Sequence, residues 1–291
     1  LLEKLAAEAK NSGERQQWIR QLADTASVAV QSGTFPEGVE RLKAVEARLA
    51  KDKADHDLLA YVAFRRLSAD YTKSLQVPNA DFVKIQSEWV KQLEEFVQQH
   101  SKSPDSAEAL LQLAIAEEFS GRDEDAIRWY DQLLKDFSKS SPAQKATGAK
   151  RRLQSVGKRM TLRGRDLRGR TVDLAKYRGK TVLIQYWATW CEPCITDMAR
   201  IKELLAKYTK QGFAVVGVSL DSQRSDVVNF LKTNRIPWQQ MYEPGGLESR
   251  LANEMGILTL PTMILVDDKG RVINRSIHVT ELDSELKRLL R

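Results

Sequence analysis

The chain has 291 residues, a formal net charge of +7 and a 42% hydrophobic composition, with two cysteines and three histidines. That length points to two domains, and no apolar run reaches the ~18 residues that a membrane-spanning helix needs. Two cysteines are too few for a disulfide scaffold or a four-ligand zinc site, and His56, His100 and His278 have no zinc-like spacing. No metal and no other cofactor is expected.

The positive charge is local. Between Lys150 and Lys180, twelve basic residues face only Asp166 and Asp173, so the rest of the chain is net negative. These charges lack the aromatic interleaving that stacks on bases, which argues against nucleic acid. A solvated domain junction accounts for them, with an anionic partner or lipid surface as the other reading. Residue 1 is Leu1 rather than Met, so we expect it not to be the translational start. A signal peptide or anchor ahead of it, and membrane association through that segment, are left open.

Residues 1–157 read as helices. Apolar residues recur at three and four, as in Leu42, Val45, Leu49 and in Leu110, Leu113, Ala114. Turn chemistry at Ser12-Gly13, Ser32-Gly33, Val77-Pro78-Asn79 and Ser103-Pro104 divides them into seven or eight helices. Leu113, Ala114, Gly121, Ala126 and Tyr130 have the spacing of a tetratricopeptide helix–turn–helix, with small residues where paired helices approach and glycine in the turn. Ser101-Lys102-Ser103 returns as Ser138-Lys139-Ser140, with Pro104 and Pro142 just after each. The region is therefore expected to be a helical-repeat array, which either presents a partner-binding face or serves as a spacer. Trp18, Trp89 and Trp129 are candidates for a groove lining, though core positions suit them as well.

After Gly157 the texture changes. Strands are predicted over Thr171–Leu174, Thr181–Tyr186 and Phe213–Ser219, and helices from the second strand to about Gln211 and over Ser222–Asn234. A short helix around Gly246–Met255 precedes strands at Thr262–Val266 and Arg271–Ser276, joined by the turn Asp267-Asp268-Lys269-Gly270, and a helix over Thr280–Leu290. This order predicts a mixed sheet flanked by helices over residues 158–291. The fold class is thus multidomain: an all-α helical-repeat domain (1–157) and an α/β domain (158–291).

Trp190-Cys191-Glu192-Pro193-Cys194 follows an apolar strand and opens a helix. A cysteine there meets the positive end of the helix dipole and unpaired amide hydrogens, which favour a thiolate. A second cysteine one turn later is placed to resolve a mixed disulfide, and Pro193 suits the first turn because its missing N–H costs nothing there. Cys191 is the candidate nucleophile and Cys194 the resolving thiol.

The run Gln185-Tyr186-Trp187-Ala188-Thr189-Trp190-Cys191-Glu192-Pro193-Cys194 resembles the active-site strand and turn of extracytoplasmic thioredoxin-like thiol–disulfide oxidoreductases, those of cytochrome c maturation above all. The resemblance covers residues 160–291 and does not reach the helical half. It extends to Leu260-Pro261-Thr262, and implies that Pro261 is cis and that Leu260 pairs with substrate chain beside the dithiol, with Trp190 and Pro193 also at the substrate surface. It implies an extracytoplasmic location, protein disulfide or dithiol substrates and a thiol-protein electron donor or acceptor. Three departures stand out. Gln185 occupies the place of thioredoxin's buried aspartate, leaving Asp197, on the next turn after Cys194, as the candidate for the resolving thiol's proton. Glu192 opposes the helix dipole by like-charge proximity to Cys191. Ala199 replaces a helix-kinking proline, which predicts a straighter helix.

The function expected is reduction of protein disulfides, with Glu-Pro between the cysteines resembling reductases, and with the helical half binding a partner. Two alternatives are a thiol peroxidase and a helical scaffold with a regulatory redox domain. Peroxidases of this fold place Thr three residues before the reactive cysteine, whereas Thr189 is two before Cys191.

Overall fold

The computed structural model describes residues 1–52 and 55–290. Lys53, Ala54 and Arg291, which fall inside the two expected domain ranges, lie outside the described residues. The chain divides into two compact units, Leu1–Ala143 and Gln144–Arg291, and so the division lies inside a helix rather than at residue 157.

The first unit is all helix: α1 (Leu2–Ala7), α2 (Ser12–Gln31), α3 (Gly38–Lys51), α4 (His56–Leu75), α5 (Phe82–Gln99), α6 (Asp105–Phe119) and α7 (Asp123–Asp136). Side-chain caps start several of them. Asn11 accepts a hydrogen bond from the Glu14 amide and Asp81 one from the Lys84 amide, each satisfying an amide that the helix leaves unpaired. Neighbouring helices pack in sequence order, and α2 also packs on α4 around Ile19, Ala23, Leu42, Leu49 and Val62. Arg65 on α4 joins three helices by bonding Asp24 of α2 and Asp105 of α6. In the expected helix–turn–helix, Leu113, Ala114, Ala126 and Tyr130 are fully buried and Gly121 makes the turn with φ +73°. Of the three tryptophans, Trp89 is buried and stacks on Tyr71, while Trp18 and Trp129 are half-buried.

The second unit begins within α8 (Ser141–Leu153) and continues through β1 (Arg163–Arg165), β2 (Thr171–Asp173), β3 (Thr181–Trp187), α9 (Glu192–Tyr208), β4 (Phe213–Ser219), α10 (Arg224–Asn234), β5 (Gln239–Tyr242), α11 (Arg250–Glu254), β6 (Thr262–Val266), β7 (Val272–Asn274) and α12 (Val279–Leu289). Its main sheet has the order β5-β4-β3-β6-β7, with β3, β4 and β5 parallel and β6 and β7 antiparallel. This is the mixed sheet and thioredoxin-like α/β arrangement expected. Central β3 is buried throughout, so it reads as a continuous apolar run rather than an alternation. Leu183 and Trp187 face one core with α9 and α12, while Val182, Ile184 and Tyr186 face a second core. α9 runs unbroken for 17 residues, in keeping with alanine at 199.

Two strands escaped the sequence reading. β1 is Arg-Gly-Arg, with nothing apolar to mark it; Gly164 is the inward residue because Met241 and Leu251 crowd the place of a side chain. β5 is a four-residue edge strand containing two glutamines. The segment 156–166 crosses the second face of the sheet, bonding β7 at one side through Gly157 and Lys158 and the β6–β7 turn through Met160, and reaching β5 through an Asp166–Met241 bridge. Its Met160 and Leu162 are buried in that second core.

The hairpins β1–β2 and β6–β7 use one device. In Asp166-Leu-Arg-Gly-Arg170 and Asp267-Asp-Lys-Gly-Arg271 the aspartate accepts from the backbone N–H and the Nε of the arginine four residues on. The intervening Gly169 and Gly270 take φ +78° and +70°, the left-handed region. Within α8, Arg152 is buried and donates to the Met255 and Gly256 carbonyls, and Gly148 sits so close to Asn253 and Gly256 that a β-carbon would fall 2.0 Å from the Asn253 carbonyl oxygen.

Candidate active site

The site lies where β3 and β4 end, at the carboxyl edge of the parallel strands, where crevices form in α/β sheets. β3 delivers Trp187, a short arm of Ala188, Thr189 and Trp190 follows, and Cys191 caps α9. Cys191 and Cys194 form a disulfide, with Cα atoms 5.3 Å apart. The Cys194 amide donates to Cys191 Sγ at 3.3 Å, so the first sulfur takes one of the unpaired amides at the helix start. Cys191 retains 5% exposure and Cys194 none, which orders the two sulfurs by access. Trp190 is 60% exposed beside them, and Glu192 and Pro193 are exposed on the first turn.

The Leu260–Pro261 peptide bond is cis. Tyr186 on β3 pairs with Thr262 on β6, and continuing that antiparallel register sets Pro261 against Trp187, at the root of the arm that carries Cys191. Leu260 is half-buried and packs on the core that contains both cysteines.

Asp197 is half-buried on α9; its Oδ2 is buried and has no hydrogen-bond partner among the described residues. Burial pushes its carboxyl above the usual carboxylate range, and the charge of His278, at the start of α12, opposes that only in part. Gln185 lies on the face of β3 that packs under α9. It is fully buried, and neither its Oε1 nor its Nε2 has a partner among the described residues. The structure thus places Asp197 and the dithiol on one helix, with Leu260 and Pro261 on the neighbouring strand end and Glu192 directed to solvent.

Asp221, just past β4, is a residue that the sequence reading missed. It is 1% exposed and accepts from the Thr189 amide at 2.9 Å, the Thr189 hydroxyl at 2.5 Å and the Ser219 hydroxyl at 2.8 Å. The available signal was position: a polar Ser-Leu-Asp at the end of an apolar strand that would lie parallel to β3. His278 carried no signal, because tertiary packing alone brings it near Asp197.

The Redoxin family model matches residues 141–290, just over half of the chain. The chain belongs to the Redoxin family. Thiol-disulfide oxidoreductase ResA of Bacillus thuringiensis subsp. konkukian (strain 97-27) is 32% identical over 108 residues, which is 37% of this chain and 61% of that protein. ResA of Geobacillus thermodenitrificans (strain NG80-2) is 33% identical over 107 residues, 37% of this chain and 60% of that one. The chain therefore spans about three fifths of the length of these relatives. Among solved structures, a thiol-disulfide oxidoreductase from Bacteroides fragilis NCTC 9343 is 32% identical, covering 45% of this chain and 97% of its own, with a TM-score of 0.42. The thioredoxin domain of a thiol-disulfide oxidoreductase from Bacteroides vulgatus is 23% identical, covering 47% and 96%, with a TM-score of 0.43. The Redoxin match begins at the start of α8, and the helices before it lie outside these comparisons' matched spans.

Proposed function

We propose that this Redoxin is a thiol–disulfide oxidoreductase that reduces disulfides in other proteins. One observation carries the reading: two cysteines joined at the N-terminus of α9, the outer sulfur on a helix amide and the inner one sealed in the core. In the reduced form, the Cys191 thiolate attacks a substrate disulfide, forms a mixed disulfide and expels one substrate thiolate. Cys194, losing its proton to Asp197, then attacks the Cys191 sulfur, restores the Cys191–Cys194 bond and expels the second thiolate. Two electrons pass to the substrate, and a thiol-protein donor replaces them. Trp190, Pro193, Leu260 and Pro261 form the surface on which the substrate chain rests.

The reductase direction is supported by the Glu-Pro pair between the cysteines. The match to ResA proteins supports the activity, and the sequence resemblance supports an extracytoplasmic location. Among the described residues no helix is long and apolar enough to cross a membrane. The helical half is proposed to hold a protein partner in a groove of about 770 Å³ between α5 and α6, edged by the exposed Phe82, Val83 and Phe119. A peroxidase reading gains nothing here, because the Thr189 hydroxyl is committed to Asp221.

The test is insulin reduction by the full chain, with Cys191→Ser as control and Cys194→Ser to trap mixed disulfides. Catalysed reduction lost in Cys191→Ser supports the reading, whereas peroxide consumption without disulfide reduction overturns it.

A further inference from the structure

Between the end of β3 and the cap of α9, the chain crosses from a rigid strand to a rigid helix in three residues. How well Cys191 serves as a thiolate depends on where that crossing leaves its sulfur, since the stabilising amides act only within the first turn of the helix. The helix holds its own end through Ile195 N–H to the Cys191 carbonyl and Cys191 N–H to the Ala188 carbonyl. The strand holds its end through Leu220 N–H to the Trp187 carbonyl. Trp190 is largely in solvent. Ala188 is packed in the core beside both cysteines, and Thr189 ties the arm to the end of β4, with both its donors on the Asp221 carboxylate.

Asp221 is itself fixed. Ser219 donates to its Oδ2, and the Asp221 amide returns a bond to Ser219 Oγ at 3.3 Å. Its carboxylate is buried with three donors on it and, among the described residues, no basic side chain in an ion pair with it. A buried carboxylate without a cation is a costly way to close a loop, and an uncharged side chain would close it more cheaply. A short bond from a hydroxyl to a carboxylate is, in return, among the strongest and most directional available.

Resting on the oxidoreductase reading, we propose that Asp221 is a positioning residue for the dithiol. By taking both donors of Thr189, it sets the arm from which Cys191 is presented to the amides of α9 and to substrate. It touches neither sulfur and acts through Thr189.

The experiment uses the reduced full chain and follows iodoacetamide alkylation of Cys191 against pH, beside thermal melting and insulin reduction. In Asp221→Ala, alkylation at pH 7 is expected to fall about tenfold with its pH midpoint moved up, a tenfold change corresponding to about one pH unit. Asp221→Asn keeps an oxygen for Thr189 and should recover most of the rate. Thr189→Val keeps the N–H, loses the hydroxyl, and should fall between the two. An unchanged alkylation profile in Asp221→Ala, with only a lower melting temperature, overturns the proposal, and so does an Asp221→Asn variant as slow as Asp221→Ala. Should Asp221→Ala fail to fold, an unchanged profile in Thr189→Val overturns it equally. If the parent protein reduces no insulin, the oxidoreductase reading falls, while the alkylation profiles still decide the role of Asp221.

Discussion

Gln240 occupies the space that a side chain at Gly217 would need. Its Oε1 lies 2.0 Å from where a β-carbon of residue 217 would stand, and the same oxygen accepts from Trp187 Nε1 at 2.8 Å. Gln185, Gly217 and Gln240 are register partners across β3, β4 and β5, so the glycine makes room for an amide to reach the tryptophan at the root of the dithiol arm. Gly217→Ala should force Gln240 aside, break its bond to Trp187 and destabilise the protein by about 1–3 kcal/mol. Adding Gln240→Ala removes the clash, so the double variant should be more stable than Gly217→Ala plus Gln240→Ala summed. Denaturant midpoints of the four proteins check this, and strict additivity would contradict it.

Asp197 sets a pH dependence whose sign follows from its raised pKa. The native state holds this proton more tightly than the unfolded chain does. The favourable contribution is therefore present below the unfolded value of ~3.9 and is lost as pH rises through the higher native value. Above that, the native state bears a charge whose Oδ2 has no partner among the described residues. Asp197→Asn should match the parent in stability near pH 3 and exceed it at pH 7. If Asp197 takes the Cys194 proton, the variant should also release mixed disulfides on the order of 10²-fold more slowly, with attack by Cys191 intact. Stopped-flow separation of the two steps checks the second claim, and chemical denaturation at the two pH values checks the first.

The sulfurs should differ in reactivity as they differ in access. In the reduced protein, iodoacetamide should label Cys191 well before Cys194, which is fully buried. Peptide mapping after limited alkylation reads this directly, and faster labelling of Cys194 would reverse the assigned roles.

The boundary of the redox domain can be measured. A fragment starting at residue 158 lacks Arg152, whose guanidinium caps the Met255 and Gly256 carbonyls, and the close Gly148 contact with α11 and its following turn. Leaving those buried carbonyls unpaired costs on the order of 3 kcal/mol, or roughly 10 °C in Tm at this size. A fragment from Ser141, where the family match also begins, should keep its Tm. Equal melting of both fragments would make α8 an appendage and favour the boundary at 157/158.

The dithiol and most of β3, β4, β6 and α9 were legible because each is written locally, as a cysteine pair at a helix start and buried β-branched runs, whereas the cis bond at Pro261 was implied only by the family resemblance. What escaped is held by partners distant in sequence. β1 carries arginines and a glycine because only its inward residue matters, and β5 is polar because Gln240 must reach Trp187. Asp221 lies 32 residues from Thr189, and nothing short of the parallel pairing of β3 with β4 puts them side by side. Most helices of the first unit were plain from periodicity, since they bury one face on a neighbour, while α6 is buried on nearly every side.

The segment that crosses the second face of the sheet has a bearing on the company this protein would keep. An open strand edge invites other extended chains to add on and aggregate. Here one stretch of chain pairs with both outermost strands, β7 through Gly157 and Lys158, and β5 through Asp166. Along those stretches the outer strands already have a resident neighbour.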